Sequence, residues 1–226
     1  MYRKALQQQA DSGRRTYTAT FPRDVAHDAV LDFVRALSGP LRPATLQPAS
    51  TVVFEVYGDV RGLRFFVSIP RLVTEGIEGL LTTHIPGLVA EAVLEPDDPI
   101  TATKWDRVVE FGTSTAHAPL RIGSPAAVVA GLLSCFANLK DGDALAQQWV
   151  ITGARPLGKL NEGKTTWPRK AIDAEQHKKK HSDATFLAVG RLAAKGEAPD
   201  NLMRRLTSRF HERTCPDLDQ INGECF

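Results

Sequence analysis

The sequence predicts an α+β fold, on three observations. Strand and helix signals alternate in two passes, a polar proline-containing stretch separates the passes, and each helix carries one apolar stripe. The first pass reads β-α-β-β-α-β and the second β-α-β-β-α. The expectation is two tandem ferredoxin-like units, with antiparallel sheets and helices on one face, the second incomplete. The 226 residues suffice to bury a core, and 42% apolar with 24% charged residues excludes wholesale disorder.

Residues 1–14 read as a flexible N-terminus and 15–96 as the first unit. Arg15–Thr20 sets Tyr17 among β-branched threonines, a short strand. Pro22 is expected to open a helix whose stripe is Val25, Ala29, Val30, Phe33, Val34 and Leu37, stopped by Gly39-Pro40. Thr51–Asp59 and Leu63–Pro70 are apolar, β-rich runs joined by a hairpin across Gly58–Gly62. A helix over 71–83 follows, with Leu72, Val73, Ile77, Leu80 and Leu81 as its stripe. Leu88–Glu95 closes the unit as a strand.

Residues 95–103 read as a polar linker, with Asp97-Asp98 as a solvated loop pair. The second unit spans 103–214. Its expected elements are a strand over 105–114 and a helix from Ser124-Pro125 to about Leu139, with Val128, Val129, Leu132, Leu133 and Phe136 as the stripe. A strand over 144–154, a basic insert over 155–182, a strand over 185–194 and a helix over 200–213 complete it. The last helix carries Leu202, Met203, Leu206 and Phe210. Residues 215–226 read as an acidic tail.

The net charge of +2 is unevenly spread. Residues 1–154 carry −2, 155–214 carry +7 and 215–226 carry −3. The positive charge therefore sits in the last third, around the insert. No apolar run approaches the roughly 20 residues of a membrane helix. No apolar stretch follows the charges of the first 15 residues, so no secretory signal is expected there. Three widely spaced cysteines make no disulfide framework, and a reducing, cytoplasmic setting is the expectation.

Two features of the insert point to chemistry. Residues 158–165, Gly-Lys-Leu-Asn-Glu-Gly-Lys-Thr, match the phosphate-loop pattern, with Gly158, Gly163, Lys164 and Thr165 at its defining positions. In a working loop, backbone N–H groups wrap the phosphates, the lysine reaches the terminal ones and the hydroxyl binds Mg²⁺. Here Arg155-Pro156 separates the loop from its strand, Pro168 shortens the helix that should follow, and the remaining chain has no room for a parallel sheet. The match therefore reads as a coincidence within a basic loop. The second feature is the basic cluster Arg169, Lys170, Lys178, Lys179 and Lys180, suited to a nucleic-acid backbone or to an ordinary solvated insert. Only Trp167 lies near it, so a base-stacking platform is not evident.

His177, His181, His211, Cys215 and Cys225 lack the close paired spacing of zinc ligands, and no metal site is expected. Cys135 falls on the stripe of its helix and reads as packed. His27 and Asp28 are adjacent on a helix and do not face each other. No nucleophile–base–orienter set emerges, so no catalytic residue and no cofactor are expected.

The stretch FPRDVAHDAVLDFVRALSGPLRP, then TVVFEVYGDVRGLRFFVSIP, then HIPGLVAEAVLEPDDP, resembles the N-terminal region of actinobacterial conjugative-transfer ATPases of the type IV secretion class. The later pieces SPAAVVAGLLSCF, LAQQWVITGARP and FLAVGRLAAKGEAPDNLMRRL fit the same region, so the resemblance spans roughly residues 15–213. It implies an α+β region that precedes a large hexameric DNA-pumping motor. The family's catalytic residues belong to that motor, so the resemblance transfers none. The resulting expectation is a non-enzymatic adaptor or assembly module, in the cytoplasm or peripheral to the inner face of the membrane. Its partners would be proteins of the transfer apparatus or further copies of itself. The alternatives are a nucleic-acid-binding protein using 155–213 and a nucleotide-binding protein using Gly158–Thr165.

Overall fold

The computed structural model describes residues 13–42, 50–94, 97–112, 125–154 and 186–214. Strand β1 (Arg15–Thr20) leads to helix α1 (His27–Leu37), then to β2 (Thr51–Asp59) and β3 (Gly62–Ile69). A 3-10 turn, Arg71–Val73, runs into α2 (Thr74–His84), and β4 (Val89–Val93) follows. A short helix α3 (Pro99–Ala102) precedes β5 (Arg107–Phe111), α4 (Pro125–Phe136), β6 (Ala144–Gly153), β7 (Phe186–Lys195) and α5 (Pro199–Thr214). The fold is mixed α and β, and no helix among the described residues is long and apolar enough to cross a membrane.

The seven strands among the described residues lie in one antiparallel sheet, in the order β4-β1-β3-β2-β6-β7-β5. The expectation of separate sheets for the two halves differs from this at one place. β2 and β6 pair along their length, from Thr51↔Thr152 to Asp59↔Ala144. Each would otherwise be a long apolar edge with unsatisfied backbone groups, and pairing them removes both edges together. The hairpin between β2 and β3 is tight. Gly62 takes φ +125°, and the Asp59 carboxylate accepts a hydrogen bond from Arg61 N at 2.8 Å.

Strand alternation sorts the side chains onto two faces. On one face, Val52, Val67 and Ile69 pack against Phe33 and Leu37 of α1 and Ile77 of α2. On the same face in the second half, Leu145 and Leu192 pack against Leu132 and Phe136 of α4 and Leu206 of α5. The helix layer requires close approach at two glycines. A Cβ on Gly58 would enter the Phe136 ring, and one on Gly153 would strike the Leu41 carbonyl.

Two stripes turn out narrower than expected. Val30 and Val34 of α1 are 38% and 40% exposed, and Val129 of α4 is 51% exposed. A helix lying on a sheet buries one arc. Val30 and Val34 are rotated about 60° and 100° from Phe33, beyond that arc.

The opposite face of the sheet is not bare. Residues 97–106 cross it as a strap between the β4 and β5 edges. Ile100 and Trp105 of the strap pack on Tyr57, Phe66, Ala146 and Ala193. Trp105 meets Tyr57 edge-on with centroids 6.1 Å apart, and its indole N–H donates to the Ile100 carbonyl at 3.0 Å. The segment read as a solvated linker is therefore a packed element. Asp98, expected to be solvated, is 5% exposed and caps α3, accepting a bond from Ile100 N at 2.9 Å. Local composition could not reveal this, because the apolar partners come from four strands distant in sequence.

Candidate functional site

The strapped face holds Glu55, a buried carboxyl on β2. Val53, Glu55 and Tyr57 alternate out of β2 toward the strap, while Val52, Phe54 and Val56 face the helices. Glu55 is 6% exposed in the middle of the sheet, flanked by Phe66 of β3 and Gln148 of β6. Its Oε1 accepts a hydrogen bond from Gln148 Nε2, and its Oε2 is buried with no hydrogen-bond partner among the described residues. Burial pushes its carboxyl up to about 7, the nearby Asp98 carboxylate adds to the rise, and the Gln148 bond and Arg14 oppose it.

Arg14 spans the end of the same face. Its guanidinium donates to Ser68 Oγ at 3.0 Å and to Thr51 Oγ1 at 2.8 Å, and also to both residues' carbonyls. At the β2–β3 turn, Asp59 takes ion pairs from Arg61 and Arg64, each at 3.2 Å, and the Arg64 guanidinium lies 4.8 Å from the Tyr57 ring centroid. On the other side of Gln148 is a cleft of about 70 Å³, lined by Ile100, Trp105, Val108, Ala146 and Arg191 among others. It is small against the roughly 300–1,000 Å³ of ligand pockets.

Chemically, burial favours the protonated form of this carboxyl and leaves Oε2 without a hydrogen-bond partner among the described residues. Glu55 carries no distinguishing signal in the sequence, because one acid in an apolar strand is a common solvent-facing pattern. The strap that buries it could not be foreseen from local signals.

Gly158, Gly163, Lys164 and Thr165, and the cluster Arg169, Lys170, Lys178, Lys179 and Lys180, are outside the described residues, as are His177, His181, Cys215 and Cys225. Cys135 is buried as expected, with its thiol directed to the Gly131 and Arg205 carbonyls. His27 and Asp28 are exposed. No cluster of three or more metal-ligating side chains occurs among the described residues.

No protein-family model and no curated protein matches the chain. Among solved structures, it is similar to a single-residue variant of berberine bridge enzyme at 12% identity and TM-score 0.38, over 91% of this chain and 42% of that one. It is similar to aclacinomycin oxidoreductase at 16% identity and TM-score 0.43, over 88% of this chain and 40% of that one. A berberine bridge enzyme structure from Eschscholzia californica gives 13% identity and TM-score 0.37, over 91% of this chain and 42% of that one. The chain spans about two fifths of the length of these proteins. Overlaps this loose transfer neither a residue role nor an activity.

Proposed function

We propose that this chain is a non-enzymatic assembly module of a conjugative DNA-transfer apparatus, acting through protein–protein contacts. Each half is a split β-α-β unit. In support, the first half has its strands in the order 4-1-3-2, and among the described residues the second half runs 1-3-2. The resemblance of residues 15–213 to the non-motor region of transfer ATPases supplies the context. Its partner is the motor ATPase of the same apparatus, on the cytoplasmic side of the membrane.

The observation that carries the reading is the edge strand β4. It pairs with β1 on one side, and four of its five residues are exposed, Val89 at 52%. A short exposed edge of this kind can take an incoming strand through main-chain hydrogen bonds. Glu91 at its centre disfavours self-pairing about the strand midpoint, because two copies would place like charges opposite each other. The test is titration of the chain against the purified motor ATPase. Val89→Asp should weaken the complex at least tenfold without lowering the melting temperature. No complex at micromolar concentrations, or equal affinity for both forms, would refute the reading. A gene neighbourhood without transfer genes would also count against it.

A second reading rests on the +7 carried by residues 155–214. It makes the chain a nucleic-acid binder whose affinity falls steeply with salt. Neutralising Lys178, Lys179 and Lys180 together should abolish that binding, and unchanged binding would sink this alternative.

A further inference from the structure

Glu55 lies on the strapped face near Asp98, buried where a carboxyl gains little from being ionised. It is buried at 6% exposure, one oxygen is without a hydrogen-bond partner among the described residues, and Asp98 on the strap is itself 5% exposed. Two carboxylates confined between a strap and a sheet repel, and neither reaches water freely. We propose that the 97–106 strap is a proton-controlled clasp: with a proton on Glu55 it lies closed on the sheet, and loss of that proton releases it, uncovering Tyr57, Phe66, Ala146 and Ala193.

The charged groups around Glu55 fit this assignment. The strap contributes Asp98, whose charge opposes ionisation of Glu55. The segment before β1 contributes Arg14, which favours ionisation but is committed to Ser68 and Thr51. β3 presents Arg64, and β2 itself presents Asp59, and these two are paired with each other at the turn. β6 contributes the neutral Gln148 directly opposite Glu55. Within this set the strap lies outside the strand ladders and can move away while the sheet stays paired. It is held mainly by Ile100 and Trp105, and its end by a bond from Asp106 N to the Ala194 carbonyl at 3.1 Å.

The sign follows from linkage. The closed state holds the Glu55 proton up to about pH 7, whereas in the open state the carboxyl reverts toward 4.5. Opening is therefore favoured as pH rises, by roughly thirtyfold between pH 5.5 and pH 8 on these values. Hydrogen exchange on the full chain, corrected for the intrinsic pH dependence of the chemistry, reads this directly. Protection of peptides covering 97–106 should fall by about that factor, while peptides from β3 keep theirs. Glu55→Gln should hold the strap protected at both pH values. Asp98→Asn, which retains a capping side chain, should shrink the pH effect without removing it. Equal strap protection at both pH values in the wild type, or a wild-type pH dependence in Glu55→Gln, would overturn the assignment.

Discussion

Replacing Glu55 by Gln should change how global stability depends on pH. The carboxyl is raised from 4.5 to about 7 in the folded chain, chiefly by burial. The folded state thus holds the proton more tightly than the unfolded state. Its contribution is fully present below pH 4.5 and is lost as pH rises from there to about 7. A shift of this size corresponds to roughly 3 kcal/mol, most of which falls between pH 5 and pH 8. Opening of the strap sets a ceiling on that loss, because an opened strap relieves the buried charge. Gln is nearly isosteric and keeps a group able to bond Gln148, so its stability should lack this component. Urea unfolding of both proteins at pH 5, 6, 7 and 8 provides the assay, with the difference between them as the quantity read. The variant should gain on the wild type with each step up to pH 7, by roughly 1–3 kcal/mol in all. Parallel curves across the range would refute the buried, proton-holding carboxyl.

Other perturbations test the packing and the sequence-derived motif. Gly153→Ala should destabilise more than Gly58→Ala: the new methyl at 153 meets the backbone carbonyl of Leu41, whereas at 58 it meets a ring that can tilt, and thermal melts should rank them in that order at a cost of about 1–3 kcal/mol or more each. Leu145→Ala, at a fully buried position beneath α4 and α5, should cost about 2–5 kcal/mol in urea unfolding. Asp98→Ala should cost about 1 kcal/mol through the lost α3 cap, and should also make Glu55 easier to ionise, seen as a smaller pH dependence of stability. Millimolar ATP should leave the melting temperature unchanged, and a rise that Lys164→Ala removes would establish Gly158–Thr165 as a phosphate loop.

The candidate site was poorly legible in the sequence, and the reason is physical. Glu55 becomes unusual only because Asp98, Gln148 and Arg14 converge on it from segments 41 to 93 residues away. Alternation in Thr51–Asp59 identifies the face on which Glu55 lies, but not that the face is covered. Asp98 sits among Pro, Asp and Thr residues that usually signal solvent. Its burial depends on Ile100 and Trp105 finding Tyr57 and Phe66.

Local signals suffice for the elements themselves, because strand and helix formation depend on neighbouring residues. Alternation and punctuation placed β1 and β2 at their observed ends, put the β2–β3 turn within residues 58–62, and set Pro125 at the start of α4. The order β-α-β-β-α-β then β-α-β-β-α was readable for the same reason, apart from the short helix α3, which falls in the segment read as a linker. The α1 boundary was less so: the helix begins at His27, several residues after Pro22, since proline permits a helix start without compelling one. Tertiary structure alone decided that β2 pairs with β6 and makes one sheet of the two halves. It also decided that residues 97–106 fold across the second face and bury two acids there. Both outcomes depend on which apolar surfaces and unsatisfied backbone edges meet across long stretches of chain, and that information resides in no single window of the sequence.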